Sequence, residues 1–437
     1  MRNAIQSKRV VTREGVRPAT VVFEDGIISA IGAYGATPGS LDVGDSYVLP
    51  GLVDTHVHIN EPGRTEWEGF RTATRAAAAG GYTCLVDMPL NSIPATTTAA
   101  ALEEKRRSAQ GKCLVDYAFW GGCVHGNSGQ LAALAEAGVR GFKCFMAPSG
   151  VDEFEMVNEA DLRLALPVIA SIGLPLLVHA EFPSALFDSD DKTWTRYSDY
   201  LGSRPDRSEY QAIELLIQLC REYRCLIHIV HLASASALSL LAAARSQGLP
   251  VTVETCPHYL YFAAENIPNG ATQFKCAPPI RSLKNGQLLW DAFDDGVIDL
   301  IATDHSPCPP ALKHPETGNF AQAWGGIASL SLAFSAMHST HPEISELVRW
   351  MSERPARLAG LHSRKGSLAP GFDADFVVFN PDSEFTVTKD HLHFRHAVTP
   401  YLGERLRGVV EQTFVRGECV YRNGEFVGTP GGRECKV

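Results

Sequence analysis

The octapeptide Val53-Asp54-Thr55-His56-Val57-His58-Ile59-Asn60 follows the run Tyr47-Val48-Leu49-Pro50-Gly51-Leu52. A run apolar on both faces is what a strand buried in a parallel sheet requires, and its far end then opens onto a site. In extended backbone alternate side chains share a face, so His56 and His58 project together and can grip one cation. The chain is therefore expected to be built on buried parallel strands with chemistry at their carboxyl ends.

From Leu49 to about residue 360 the pattern is apolar strand, polar or glycine turn, amphipathic helix, repeated. Strands are predicted to end near His58, Met88, Gly121, Phe145, His179, His231, Thr255 and Thr303, with helices over Thr97–Gln110, Glu159–Ser171, Glu209–Tyr223, Ala235–Ser246 and Gly286–Phe293. Eight such units are what a (β/α)8 TIM-like barrel needs. A doubly wound sheet is the alternative, but it normally takes fewer units, and no Gly-x-Gly-x-x-Gly follows the first strand.

The two ends have a different texture. Ala19–Phe23 and Ile27–Ile31 flank an Asp25-Gly26 turn, a strong hairpin signal, and short strands return at Ala374–Phe379 and Gln412–Tyr421 before the turn Arg422-Asn423-Gly424-Glu425. Residues 1–49 and 361–437 are accordingly expected to form one discontinuous β-sandwich around a catalytic barrel of residues 50–360, an α/β architecture. At 437 residues the chain is long for a single core, which agrees with two units.

A formal charge of −10 and the lack of a Lys/Arg cluster argue against a nucleic-acid footprint and favour a small-molecule partner. Eleven cysteines without a Cys-x-x-Cys pair fit a reducing compartment. Met1–Ile5 lead straight into strand-like sequence, and no apolar run reaches membrane-spanning length, so a cytoplasmic protein without a membrane partner is expected.

In such a barrel the strand ends meet at one mouth, where catalysis takes place. Those ends carry His56 and His58, then Lys143 in Gly141-Phe142-Lys143-Cys144-Phe145, His179, His231, and Asp304 in Ile301-Ala302-Thr303-Asp304-His305. Imidazoles and a carboxylate suit a borderline divalent ion such as zinc, with coordination left open for water. One strand-end histidine alone is more often a satisfied structural group; it is the set that points to metal. Lys143 is the odd member, because an ammonium is repelled by cations and has no lone pair to give. A carbamate formed with carbon dioxide would turn it into a bridging anion. No cysteine has a convincing histidine partner, which disfavours thiol catalysis.

The order His56-x-His58, Lys143, His179, His231, Asp304 resembles the binuclear amidohydrolase superfamily and its cyclic amidohydrolases, over essentially the whole chain. The resemblance implies that His56, His58 and Asp304 hold one divalent ion, that His179 and His231 hold another, and that carboxylated Lys143 bridges them. It further implies zinc foremost, with cobalt, manganese, nickel and iron also accepted, and a homotetramer. The implied reaction is attack of hydroxide on a cyclic amide carbonyl, with Asp304 carrying the proton to the leaving nitrogen.

Departures from the family pattern bear on the ring. Dihydroorotases carry an arginine two residues past the second histidine; Asn60 stands there, with Arg64 nearby but off position. Dihydropyrimidinases and hydantoinases place a tyrosine five residues past the bridging lysine; Pro148 stands there. Residues 87–96, 275–281, 304–310 and 323–328 resemble the allantoinase branch, which implies opening of allantoin to allantoate in purine breakdown. A neutral cyclic ureide calls for amides and backbone groups rather than a guanidinium clamp. Asn91, Ala277 through its backbone, Trp324 and Gly325 are the predicted substrate contacts. A hydantoinase, dihydropyrimidinase or dihydroorotase would keep the chemistry and change the ring. A non-catalytic scaffold on this fold would lack ligands, and all six are present.

Overall fold

The computed structural model describes residues 3–187 and 192–436; Met1 and Arg2, at the head of the strand-like N-terminus, lie outside them. Among the described residues the barrel strands are Leu52–Val57, Tyr82–Asp87, Asp116–Phe119, Phe142–Phe145, Leu176–His179, Ile227–Ile229, Val251–Thr255 and Leu300–Ile301. Neighbouring strands run parallel. The third is split: Asp116–Phe119 pairs with the second strand, and Gly121–Gly122 continues beside the fourth. The ring closes where the His58 amide donates to the His305 carbonyl at 2.8 Å. Nearly every residue of these strands is buried, as two covered faces demand. The predicted barrel is the observed one.

The intervening helices match their periodicity, with boundaries set by local chemistry. Glu159–Ile172 begins at a capping box in which Asn158 and Asp161 exchange hydrogen bonds, and it ends at Gly173, whose φ of 78° suits a residue without Cβ. The predicted Glu209–Tyr223 helix starts earlier, at Asp206, directly after Pro205. The predicted Gly286–Phe293 helix spans Leu283–Asp294, because the Ser282 side chain caps it. No helix among the described residues is long and apolar enough to cross a membrane.

Both ends of the chain contribute to one mixed sheet. Its hydrogen-bonded path runs Glu425–Phe426, Glu418–Arg422, Arg405–Val415, Phe376–Thr386, Tyr47–Pro50, Asn3–Thr12, Gly15–Glu24, Ile27–Gly32. Phe23 and Phe376 touch at 5.4 Å although two strands separate theirs along this path, so the sheet folds back on itself into the sandwich around a small apolar core. The predicted strand over Gln412–Tyr421 is in fact two, because Arg416 (φ 48°) and Gly417 (φ 78°) turn the chain between them.

Buried charge joins the parts. Lys365 Nζ lies 2.6 Å from Asp116, 2.9 Å from Asp373 and 2.6 Å from Asp375. These carboxylates could otherwise gather a metal; here an ammonium fills the space and ties the third barrel strand to the approach to the sandwich.

Candidate metal centre

All six residues singled out at the strand ends are buried, and the structure brings them together. His56 Nε2 and His58 Nε2 approach the same oxygen, Asp304 Oδ1, at 3.2 and 3.3 Å. His179 Nδ1 and His231 Nε2 meet at 3.0 Å, with their rings nearly perpendicular at 77°. His56 and His231 link the two groups at 5.4 Å between ring centres. Lys143 is fully buried, and its Nζ has no hydrogen-bond partner among the described residues.

The backbone is forced into place here. Asn60, Asn91, His231 and Asp304 all have positive φ, between 39° and 65°, where side chains other than glycine are disfavoured. Such conformations cost on the order of 1–3 kcal/mol each and persist only where the surroundings impose them. Asp87 anchors the loop after the first strand: its carboxylate accepts from the Ile59 amide at 2.8 Å and from buried Lys105 at 2.7 Å.

Burial and neighbouring charge set the protonation of these groups. Burial lowers His58 to about 4 and depresses His179 and His231 as well, so these imidazoles are neutral. Burial works to raise Asp304, but His56 and His58 outweigh it and hold the carboxyl well below its ordinary range. Burial also pulls Lys143 down to about 8. Neutral imidazoles and an ionised carboxylate make a donor set suited to cations, beside a buried lysine without a hydrogen-bond partner among the described residues, and they fit the divalent pair that the sequence pattern implies.

Three carboxylates that sequence reading left unassigned stand behind these residues. Glu254, fully buried, contacts His56 Nδ1 and lies 3.0 Å from His228 Nε2. Glu181, fully buried, lies 2.7 Å from His179 Nε2 and accepts from the Arg204 guanidinium at 2.7 Å. Asp54 accepts from the His56 amide at 2.9 Å. For two of them a signal was present, since Asp54 and Glu181 sit two residues from a strand-end histidine; Glu254, next to last in its strand, has its partners on other strands.

A cavity of about 60 Å³ opens above the six residues. His56, His58, His179, His231 and Asp304 line its floor, and the predicted substrate residues Asn91, Ala277, Trp324 and Gly325 line its wall. Pro148 and Arg204 line it too. Asn91 Oδ1 and Trp324 Nε1 are buried without partners among the described residues, one an acceptor and one a donor. Arg64, by contrast, is engaged with Glu153 and with the Asn91 carbonyl, away from the floor.

A model of the amidohydrolase family matches residues 47–420. The allantoinase of Streptomyces avermitilis is 48% identical, covering 98% of this chain and 97% of its own. That of Saccharomyces cerevisiae is 43% identical, covering 99% and 98%. Among solved structures, L-hydantoinase (dihydropyrimidinase) from Arthrobacter aurescens superimposes with a TM-score of 0.93 at 29% identity over 100% of both chains. Dihydropyrimidinase from Brevibacillus agri gives 0.90 at 28% identity, over 100% of this chain and 98% of its own.

Proposed function

The chain belongs to the amidohydrolase family, and from that premise we propose that it is a metal-dependent cyclic amidohydrolase that opens allantoin to allantoate. The observation that carries the choice of ring is the cavity wall. On it Pro148 stands where related enzymes keep a tyrosine, and Asn91 Oδ1 and Trp324 Nε1 offer an acceptor and a donor to a neutral ureide; off the wall, Asn60 stands where others keep a carboxylate-clamping arginine.

We assign one divalent ion to His56, His58 and Asp304 and a second to His179 and His231, with zinc favoured by the imidazole-rich set. When bound, the pair supplies the Lewis acidity that lowers the pKa of water and polarises an amide carbonyl. Lys143 would help to hold both as its carbamate: the ammonium loses one proton, the amine so formed adds to carbon dioxide to make an N–C bond, and a second proton leaves, so that an anion replaces a cation.

Asp304 does the proton work. Its carboxylate takes a proton from the attacking water and delivers it to the ring nitrogen as the C–N bond breaks. Asn91 and Trp324 orient the ureide, and the chain at Ala277 and Gly325 closes the wall behind it.

Residues 50–360 form the catalytic body in this reading, and residues 1–49 with 361–437 form the supporting sandwich. The enzyme is assigned to the cytoplasm, in keeping with eleven cysteines that form no disulfide, nine of them buried, and to a homotetramer by family resemblance.

Purified enzyme assayed against allantoin, hydantoin, dihydrouracil and dihydroorotate tests the substrate. Allantoin is expected to be turned over best. Turnover of dihydroorotate alone would overturn the assignment.

A further inference from the structure

A barrel interior is normally filled by layers of branched apolar side chains. Below the cavity this one holds His228 and Glu254, both fully buried. Neither residue lines the cavity, so neither touches a substrate there. Among the described residues the ion-pair partners of Glu254 are the imidazoles of His56 and His228. Glu181, its counterpart behind His179, has a guanidinium as well.

The hydrogen bonds assign the protons. A carboxylate only accepts, so both imidazoles present N–H to Glu254. His56 then carries its proton on Nδ1, which leaves the Nε2 lone pair on the side where Asp304 Oδ1 stands at 3.2 Å. His228, donating from Nε2 to Glu254 Oε2 at 3.0 Å, keeps Nδ1 to accept from the Thr252 hydroxyl at 2.8 Å. His228 and Thr252 sit opposite each other in the parallel pairing of the sixth and seventh strands, so strand register builds the relay. No polar atom in the chain Thr252–His228–Glu254–His56 is left with a conflicting proton.

We propose that His228 and Glu254 are positioning residues that fix the tautomer and basicity of His56, and so set how tightly the His56, His58 and Asp304 end of the centre holds its cation. The inference rests on the assignment of His56 as a ligand. A fully buried carboxylate is costly unless positive charge lies close by, and a cation on the far nitrogen of His56 would supply it.

The test compares Glu254→Gln with wild type, each stripped with a chelator and reloaded with zinc. Metal per chain, zinc retention against a competing chelator, and melting temperatures with and without zinc are measured. Glu254→Gln is expected to hold one of the two ions about 10–100-fold more weakly, with the other unchanged. The zinc-induced rise in melting temperature should shrink, while the stripped variant melts no lower than stripped wild type. Unchanged zinc retention, or an equal fall in melting temperature with and without zinc, would overturn the relay. If Glu254→Gln does not fold, His228→Gln and His228→Leu make the same comparison. Gln, which keeps an amide donor to Glu254, should retain zinc better than Leu, and equal retention would overturn the proposal. Wild type that binds no zinc would instead sink the ligand assignment itself.

Discussion

Thr303 Oγ1 donates to Asp54 Oδ2 at 2.5 Å, while Oδ1 of the same carboxylate accepts from the His56 amide at 2.9 Å. One buried side chain thus pins the first strand to the eighth directly before His56 and Asp304. Asp54→Ala leaves these donors without an acceptor and is expected to cost about 1–3 kcal/mol in denaturant unfolding. Thr303→Val should cost less, because Asp54 keeps the two backbone amides that donate to it.

Asp304→Asn removes the proton carrier and one charge of the donor set. Turnover should fall at least roughly 100-fold with an unchanged circular dichroism spectrum. Activity within a few-fold of wild type would remove Asp304 from the mechanism.

Lys143→Ala should be inactive and should recover part of its activity with added short carboxylic acids, which can occupy the bridging position. The intact mass of wild type should exceed the sequence mass by one carbon dioxide when measured under conditions that preserve the carbamate.

Trp324 packs edge-on against Trp67 at 4.8 Å between ring centres, lines the cavity, and has a buried Nε1 without a partner among the described residues. Trp324→Phe keeps the packing and removes one donor. KM for allantoin should rise about 3–10-fold with kcat little changed, the signature of uniform binding lost with one hydrogen bond. A fall in kcat alone would assign Trp324 to the transition state.

His338, away from the centre, links acidity to stability. Burial lowers its pKa, and its ring contacts the Pro381 carbonyl at 3.2 Å. The folded chain therefore binds fewer protons here than the unfolded chain, so this contribution is present above about pH 6.5 and is lost as the pH falls below it. His338→Gln should flatten the acid side of the melting-temperature profile.

Much of this was legible in the chain. The eight strand ends were readable because strands buried on both faces write continuous apolar runs, and a barrel converts those ends into one mouth without further information. Asn91, Ala277, Trp324 and Gly325 could be nominated only by resemblance, and nothing in their spacing showed that they share a wall. Glu254 and His228 escaped notice because a polar residue inside a short apolar run reads as an interruption. Its meaning depends on which strand lies opposite, and that is a tertiary fact. The turn at Arg416-Gly417 was missed because arginine carries no signal for a left-handed backbone.

The central claim, two cations gathered at one rim by side chains from five strands, is tested most directly by anomalous diffraction from crystals of the zinc-loaded enzyme. The account predicts two peaks, one among His56, His58 and Asp304 and one between His179 and His231, with density continuous from Lys143 to both. A mouth without anomalous signal, or peaks confined to other parts of the molecule, would contradict it.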